Sequence, residues 1–194
     1  MNYFEVFGLE RALAIDTAAL QRSFYELARR WHPDFHATAA PDEQARVLAA
    51  SARLNAAYRA LRDPIARIEY LVRLEEGRET REGAAVKPQP PPELLEEMFE
   101  IQEALAEARA GAGSGGLAAA ARTTLGAQRE RLGARLHEQE ARLTGPLAAA
   151  WDGARPAERP RALARLKEGL ATRAYLRTVI DDLAQALGAE TAAR

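Results

Sequence analysis

The chain has 194 residues, and its 27 Lys and Arg nearly balance its 28 Asp and Glu, which gives a formal net charge of −1. Without a net basic charge, no overall field favours nucleic acid or an anionic membrane as a partner. The sequence contains no cysteine, which excludes disulfides, thiolate nucleophiles and cysteine-based metal or cluster sites. No charged N-terminal segment precedes an apolar core, and no apolar run has transmembrane length, so we predict a cytoplasmic protein.

Two amphipathic helices are predicted on either side of the tripeptide His32-Pro33-Asp34. The first has Asp16 or Thr17 available as its N-cap. The second begins at Pro41 and continues until Asp63-Pro64 starts another segment. The apolar residues that recur at helical spacing are Leu20, Phe24, Leu27 and Trp31 in the first helix and Val47, Leu54, Tyr58 and Leu61 in the second. Two antiparallel helices joined by a tight His-Pro-Asp loop resemble the core of a J-domain.

Three segments make this resemblance more specific. They are Asn-Tyr-Phe-Glu-Val-Phe-Gly-Leu at 2–9, Trp-His-Pro-Asp at 31–34 and Asp-Pro-Ile-Ala-Arg-Ile-Glu-Tyr-Leu at 63–71. Together they are similar to the HscB family, the J-type co-chaperones of bacterial iron-sulfur cluster assembly. In that family a helical second domain follows the J-domain, as the pattern predicts here. The resemblance covers the whole chain, with sharp motifs up to about Leu74 and similarity of pattern beyond it.

A domain boundary is predicted where the helical pattern fails. The proline-rich run at 87–92 cannot continue a helix, because proline lacks the amide donor and clashes with the preceding turn. We therefore predict a J-domain at 1–74, a linker at 75–92 and a C-terminal three-helix domain at 93–190. Its helices are predicted near 93–110, 117–143 and 157–187, with a further turn or two at 147–151. No segment alternates with period two, so the predicted class is all-α, and the resemblance implies an L-shaped arrangement of the two domains.

The first helix of the second domain has apolar residues on two faces. One stripe, expected to pack on the other two helices, consists of Leu94, Met98, Ile101 and Leu105. Leu95 and Phe99 lie roughly 90° or more around the helix from it, beside the carboxylates of Glu96, Glu100, Glu103 and Glu107. Periodicity leaves two interpretations open. The flank is either covered by a neighbouring helix or exposed as a small apolar patch with an acidic rim that docks a partner.

The resemblance favours docking, because in the HscB family this helix binds the IscU-type scaffold protein, with an aromatic residue contributed by the last helix. It implies a scaffold-binding set of Leu95, Glu96, Phe99, Glu100, Glu103, Glu107 and Tyr175. Glu96 departs from the pattern, since the family commonly has an apolar residue there. We expect the apolar part of the site to be smaller or rotated toward Met98.

The resemblance also implies that the His-Pro-Asp loop and the preceding helix press on a DnaK- or HscA-type chaperone and favour the conformation that hydrolyses ATP. Pro33 fixes its own φ and restricts its predecessor, so the loop should be stiff. The predicted chaperone-binding set is His32, Pro33, Asp34, Arg22, Tyr25, Arg29 and Arg30. Phe35 and His36 stand where the family tends to place a lysine or arginine. We expect either Phe35 to pack inward or His36 to supply partial charge at low pH.

Catalysis and metal binding are the other function classes that the histidines raise. A dyad of His32 and Asp34 is disfavoured, because adjacent side chains separated by proline point apart, and the chain has no serine elbow or phosphate loop. A metal site of His32, Asp34 and His36 lacks a further ligand nearby in sequence, and His137 is isolated on a helix. We predict no enzymatic activity, cofactor or metal. The stronger alternative is a general J-domain adaptor that delivers a different client to a DnaK-type chaperone.

Overall fold

The computed structural model describes residues 1–77, 96, 99–104, 106 and 119–188. These residues form helices and no strand, which confirms the predicted all-α class. Residues 96, 99–104 and 106 are helical. The remaining elements are α1 Tyr3–Val6, α2 Thr17–Arg30, a 3-10 turn Pro33–His36, α3 Pro41–Arg62, α4 Pro64–Glu75, α5 Ala119–Arg142, a π-helical turn Leu143–Leu147, α6 Ala148–Asp152 and α7 Arg159–Gly188.

Local capping explains where the N-terminal helices begin. The carboxylate of Asp16 accepts hydrogen bonds from the first amides of α2, and the carboxylate of Asp63 accepts one from the first turn of α4. Pro41 and Pro64 occupy the first positions of α3 and α4, where a missing N–H costs nothing. Helix α4 ends where Gly77 adopts a left-handed φ of 66° and donates its N–H to the carbonyl of Leu74 at 3.0 Å.

Aromatic contacts join the N-terminal helices. The Tyr3 and Tyr70 rings stack with centroids 4.4 Å apart, and the Tyr70 hydroxyl accepts the backbone N–H of Tyr3 at 2.8 Å. Phe4 is fully buried beside Tyr70. The apolar core that these contacts enclose includes Leu20, Val47, Leu54, Ala57, Leu61, Ile68 and Leu71. The helices on either side of the His-Pro-Asp loop therefore share one core, as a J-domain requires.

The described chain divides into two compact units that are not contiguous in sequence. The first holds residues 1–77 together with 144–163, and the second holds the described part of 96–143 together with 164–188. This division differs from the predicted one, which assigned all of 93–190 to the C-terminal domain. Segment 144–163 lies in the first unit, where Leu147 and Trp151 are buried. The predicted linker at 75–92 is described only as far as Gly77.

The second unit is a helical bundle, as predicted. Its buried cluster consists of Ile101, Leu125, Leu132, Tyr175, Leu176, Val179, Leu183 and Ala186. Ile101 is 4 % exposed, as expected for the predicted core stripe, whereas Leu94, Met98 and Leu105 lie outside the residues whose side chains are described. Polar contacts link α5 to α7, because the Gln139 side chain donates to the Gly169 carbonyl at 3.1 Å and Arg173 pairs with Glu140 at 2.8 Å.

Candidate functional site

The His-Pro-Asp loop is a short 3-10 turn with its own cap. His32 is the N-cap residue, and its Nδ1 accepts the backbone N–H of Asp34 at 3.3 Å. Pro33 is the first residue of the turn, and the N–H of Phe35 donates to the His32 carbonyl at 3.1 Å. The imidazole is thus used to fix the turn that carries it. This geometry accounts for the stiffness that the sequence predicts.

Side chains tie the loop to both flanking helices. Nε2 of His36 lies 3.1 Å from the carbonyl oxygen of Arg30, at the end of α2. The side-chain amide of Gln44, in the first turns of α3, donates to the carbonyls of Ala37 and Ala39 at 3.0 and 2.9 Å. Because the loop residue His36 bonds to α2 and Gln44 of α3 bonds to two loop carbonyls, the loop is held relative to both helices.

His32 and Asp34 are presented to solvent. Nδ1 of His32 lies 3.6 Å from Oδ2 of Asp34, and the two side chains are 53 % and 86 % exposed. Nδ1 already accepts a backbone N–H, so a neutral imidazole carries its proton on Nε2 and donates it outward. The pair therefore offers a donor and an acceptor side by side, an arrangement suited to hydrogen bonding across an interface.

The outward face of α2 carries the predicted basic residues. Arg22, Tyr25, Arg29 and Arg30 are all exposed. The side-chain amide of Gln21 lies 3.3 Å from the Tyr25 hydroxyl, and the Arg30 guanidinium lies 5.4 Å from the centroid of the Trp31 ring. Arg29 and Arg30 also occupy the last turn of α2, where cations favour the helix dipole. The structure brings the predicted chaperone-binding residues together on α2 and the adjoining loop.

Phe35 does not pack inward, which corrects one of the two expectations for this position. Its side chain is 69 % exposed, and its ring meets the ring of His32 nearly edge-on with centroids 5.8 Å apart.

Leu48 on α3 is also largely exposed. It lines a groove of about 350 Å³ with Pro33, His36 and Gln44. Sequence reasoning missed Leu48, although its place next to buried Val47 and off the apolar stripe of α3 signals an exposed side chain.

The acidic and apolar face of the second unit is exposed where it is described. Phe99 is 68 % exposed, and Glu96, Glu100 and Glu103 are exposed around it. Residues three and four apart share a helix face, so Glu96 and Glu103 flank Phe99 directly. Leu95 and Glu107, the other predicted members on this helix, lie outside the described residues.

Tyr175 lies in a different environment from the rest of the predicted scaffold-binding set. It is 8 % exposed and belongs to the buried cluster of the bundle, next to Leu176. Its side chain therefore packs with the core of the second unit. A contact between Tyr175 and a scaffold protein stays a prediction.

The described residues contain neither a cluster of metal ligands nor a membrane span. In the described ranges, no three His, Cys, Asp or Glu side chains lie close enough together to hold a metal ion. The helices between residues 1 and 77 and between 119 and 188, with the described residues of 96–106, include none long and apolar enough to cross a membrane.

Comparison with known sequences finds HscB relatives. A co-chaperone protein HscB homolog of Vibrio vulnificus is 40 % identical over 107 residues, which are 55 % of this chain and 61 % of the relative. The homolog of Vibrio campbellii is 40 % identical over 105 residues, covering 54 % and 60 %. The matches thus span about 60 % of the length of these curated relatives. No family model matches the chain.

Solved structures agree with the sequence relatives. The chaperone HscB from Vibrio cholerae superposes with a TM-score of 0.54 at 29 % identity, over 94 % of this chain and 99 % of that one. The human co-chaperone protein HscB shares the fold with a TM-score of 0.62 at 24 % identity, over 94 % and 80 % of the two chains. The chain is thus similar to HscB co-chaperones both in sequence and in fold.

Proposed function

We propose that the chain is a J-type co-chaperone that stimulates the ATPase of a DnaK- or HscA-type chaperone and delivers an IscU-type iron-sulfur scaffold protein to it. The observation that carries the proposal is the capped, exposed loop of His32, Pro33 and Asp34 between two helices that share one core. The relatives named HscB support the co-chaperone class.

The loop acts by orienting the chaperone rather than by covalent chemistry. Its backbone is ordered before binding, by the His32 cap and by the bonds from His36 and Gln44. Binding energy is therefore not consumed in ordering the loop and remains available to favour one conformation of the partner. The basic face of α2 provides long-range attraction to an acidic chaperone surface, which raises the rate of association.

The scaffold protein docks on the exposed face around Phe99. An aromatic ring surrounded by carboxylates can fill an apolar pocket while its rim pairs with basic residues of the partner. Among the described residues the rim consists of Glu96, Glu100 and Glu103. Ile101 points into the bundle instead, since it is almost fully buried. One helix thus serves both as a core element and as a docking face.

The proposal is tested by chaperone ATPase rates measured with purified scaffold protein absent and present. The expected result is stimulation by this chain alone and a further, synergistic increase when the scaffold is added. Stimulation that the scaffold does not change would favour the general J-domain adaptor with another client. Absence of stimulation under both conditions would contradict the co-chaperone function itself.

Scaffold docking is tested separately by charge reversal. Glu100→Lys and Glu103→Lys should weaken scaffold binding most at low salt, because screening reduces rim electrostatics as ionic strength rises. Glu130→Lys is the matched control, since Glu130 is an exposed glutamate on α5. An equal loss of affinity in the control would assign the effect to net charge and remove the docking face from the proposal.

A further inference from the structure

Segment 144–163 belongs to the unit that carries the His-Pro-Asp loop, although it lies far from that loop in sequence. Trp151 in α6 is 3 % exposed, and the Arg159 guanidinium lies 5.6 Å from the centroid of its ring. Asp152, the last residue of α6, follows this buried anchor directly. The backbone that carries the Asp152 carboxylate is therefore fixed by packing.

The Asp152 carboxylate binds the peptide that leads into α2. Its Oδ1 accepts the backbone N–H of Leu13 at 2.7 Å, and its Oδ2 accepts the backbone N–H of Ala14 at 2.8 Å. One ionised group thus holds two consecutive amides through charge-assisted hydrogen bonds, which are stronger than neutral ones. Asp16, the N-cap of α2, comes two residues after Ala14.

Arg67 of α4 holds the same peptide by its carbonyl side. Its Nη1 donates to the Leu13 carbonyl at 2.5 Å, and its Nε donates to the Leu61 carbonyl at 2.7 Å. The side chain is 4 % exposed. Leu13, itself buried, is therefore fixed at its N–H by Asp152 and at its C=O by Arg67. The start of α2 is positioned by two charged residues from distant parts of the chain.

We propose that Asp152 is a positioning residue for chaperone stimulation. By fixing Leu13 and Ala14 it orders the entry into α2, the helix whose outward face and C-terminal end carry the chaperone-docking residues. This inference rests on the proposed function. It gives segment 144–163 a role in chaperone stimulation, which is separate from scaffold docking around Phe99.

The physical effect is preorganisation of the docking helix. Without Asp152, the entry peptide becomes mobile before docking and has to be ordered when the chaperone binds, which lowers the affinity. The loop that changes the chaperone conformation is untouched. Asp152→Ala should therefore raise the co-chaperone concentration for half-maximal ATPase stimulation by about three- to ten-fold and leave the maximal stimulation unchanged.

The test uses the full chain with Asp152→Ala, Asp152→Asn and the control Asp181→Ala, an exposed aspartate on α7. Asparagine keeps one acceptor oxygen, so the Asn variant should show a smaller increase in the half-maximal concentration than the Ala variant. Amide hydrogen exchange should lose protection at Leu13 and Ala14 in the Ala variant and at one of them in the Asn variant. The control should match the wild type in every readout.

The outcomes separate positioning from mere stability. A merely structural role would raise the half-maximal concentration only by the reciprocal of the folded fraction, which circular dichroism of the variant measures, and would leave maximal stimulation unchanged. An increase that disappears once the concentration is corrected for the folded fraction would overturn the inference. Should the Ala variant fail to fold, the Asn variant decides by the same two parameters. A wild-type chain without stimulation would instead contradict the proposed function, which distinguishes the two failures.

Discussion

Phe24 of α2 and Tyr58 of α3 stack nearly face to face, with ring centroids 4.1 Å apart and 14° between the ring planes. The His-Pro-Asp loop connects these two helices. Aromatic pairs of this kind contribute stabilisation beyond the apolar area that they bury. The stack therefore joins the helices on either side of the loop.

Tyr58→Ala tests this stack. Because Tyr58 is partly buried, we expect a loss of about 1–3 kcal/mol in the free energy of unfolding, less than for a fully buried aromatic residue. Tyr25→Ala is the matched control on the exposed face of α2 and should change stability by under about 0.5 kcal/mol. Chemical denaturation measures both values, and equal losses would show that the stack adds nothing.

Arg67→Ala tests the buried guanidinium. Burial lowers the pKa of Arg67, and the carboxylates of Asp63 and Asp152 oppose that shift. The substitution leaves the carbonyls of Leu13 and Leu61 without this donor, so we expect a loss of about 2–4 kcal/mol. Arg53→Ala, at an exposed position of α3, should change stability little. Thermal unfolding of the two variants gives the comparison, and similar midpoints would contradict a role for the buried bonds.

Phe99→Ala and Ile101→Ala test the orientation of the docking helix. The exposed Phe99 should contribute under about 0.5 kcal/mol to folding but most of the apolar contact with the scaffold, so its loss weakens binding. Truncation of the buried Ile101 should cost about 2–4 kcal/mol. Unfolding midpoints and scaffold affinity are measured on both proteins. If Phe99→Ala melts much earlier than Ile101→Ala, the docking face has to be reassigned.

The stability that the Asp16 cap contributes should depend on pH in the acid range. The backbone N–H of Ala19 lowers the pKa of Asp16, and the N–H of Ala18 and the charge of Arg22 lower it further. The pKa of Asp16 is therefore lower in the folded protein than in the unfolded chain. The capping carboxylate stabilises the fold fully at pH values above the unfolded pKa, and this stabilisation is lost as the pH falls through the folded pKa. An NMR titration should give a midpoint below the ordinary value of about 4.

Asp16→Asn is the control for this titration. Asparagine keeps a capping oxygen but has no carboxylate to titrate, so the variant should lose less stability than the wild type between neutral and acidic pH. A wild-type midpoint at or above the ordinary value would contradict the capping role.

Local signals predicted the N-terminal helices well, because caps and periodicity act over a few residues. Asp16, Pro41 and Pro64 mark helix starts in the sequence and begin the same helices in the structure. Helical geometry predicted the burial of Ile101 on the core stripe and placed Phe99 on another face, since adjacent residues lie about 100° apart. Periodicity left open whether Phe99 is covered or exposed, and the resemblance favoured the exposure that the structure shows.

Long-range contacts were not predictable from one sequence. The bond from Leu13 to Asp152 joins residues 139 positions apart, and nothing local marks an aspartate at the end of a short helix as the partner of that peptide. The sequence left open whether Phe35 packs inward or His36 supplies partial charge, because a large apolar side chain in a turn gives no direction by itself. The burial of Tyr175 depends on which face of α7 meets α5, which an alanine-rich pattern does not specify.

The central claim is that the His-Pro-Asp loop stimulates a chaperone ATPase, and the most direct measurement is the ATPase rate of a DnaK-type chaperone with His32→Gln. His137→Gln, at an exposed histidine of α5, is the matched control. We predict that His32→Gln loses stimulation while the protein stays folded and keeps the wild-type scaffold affinity, and that His137→Gln stimulates normally. Wild-type stimulation by His32→Gln would contradict the account.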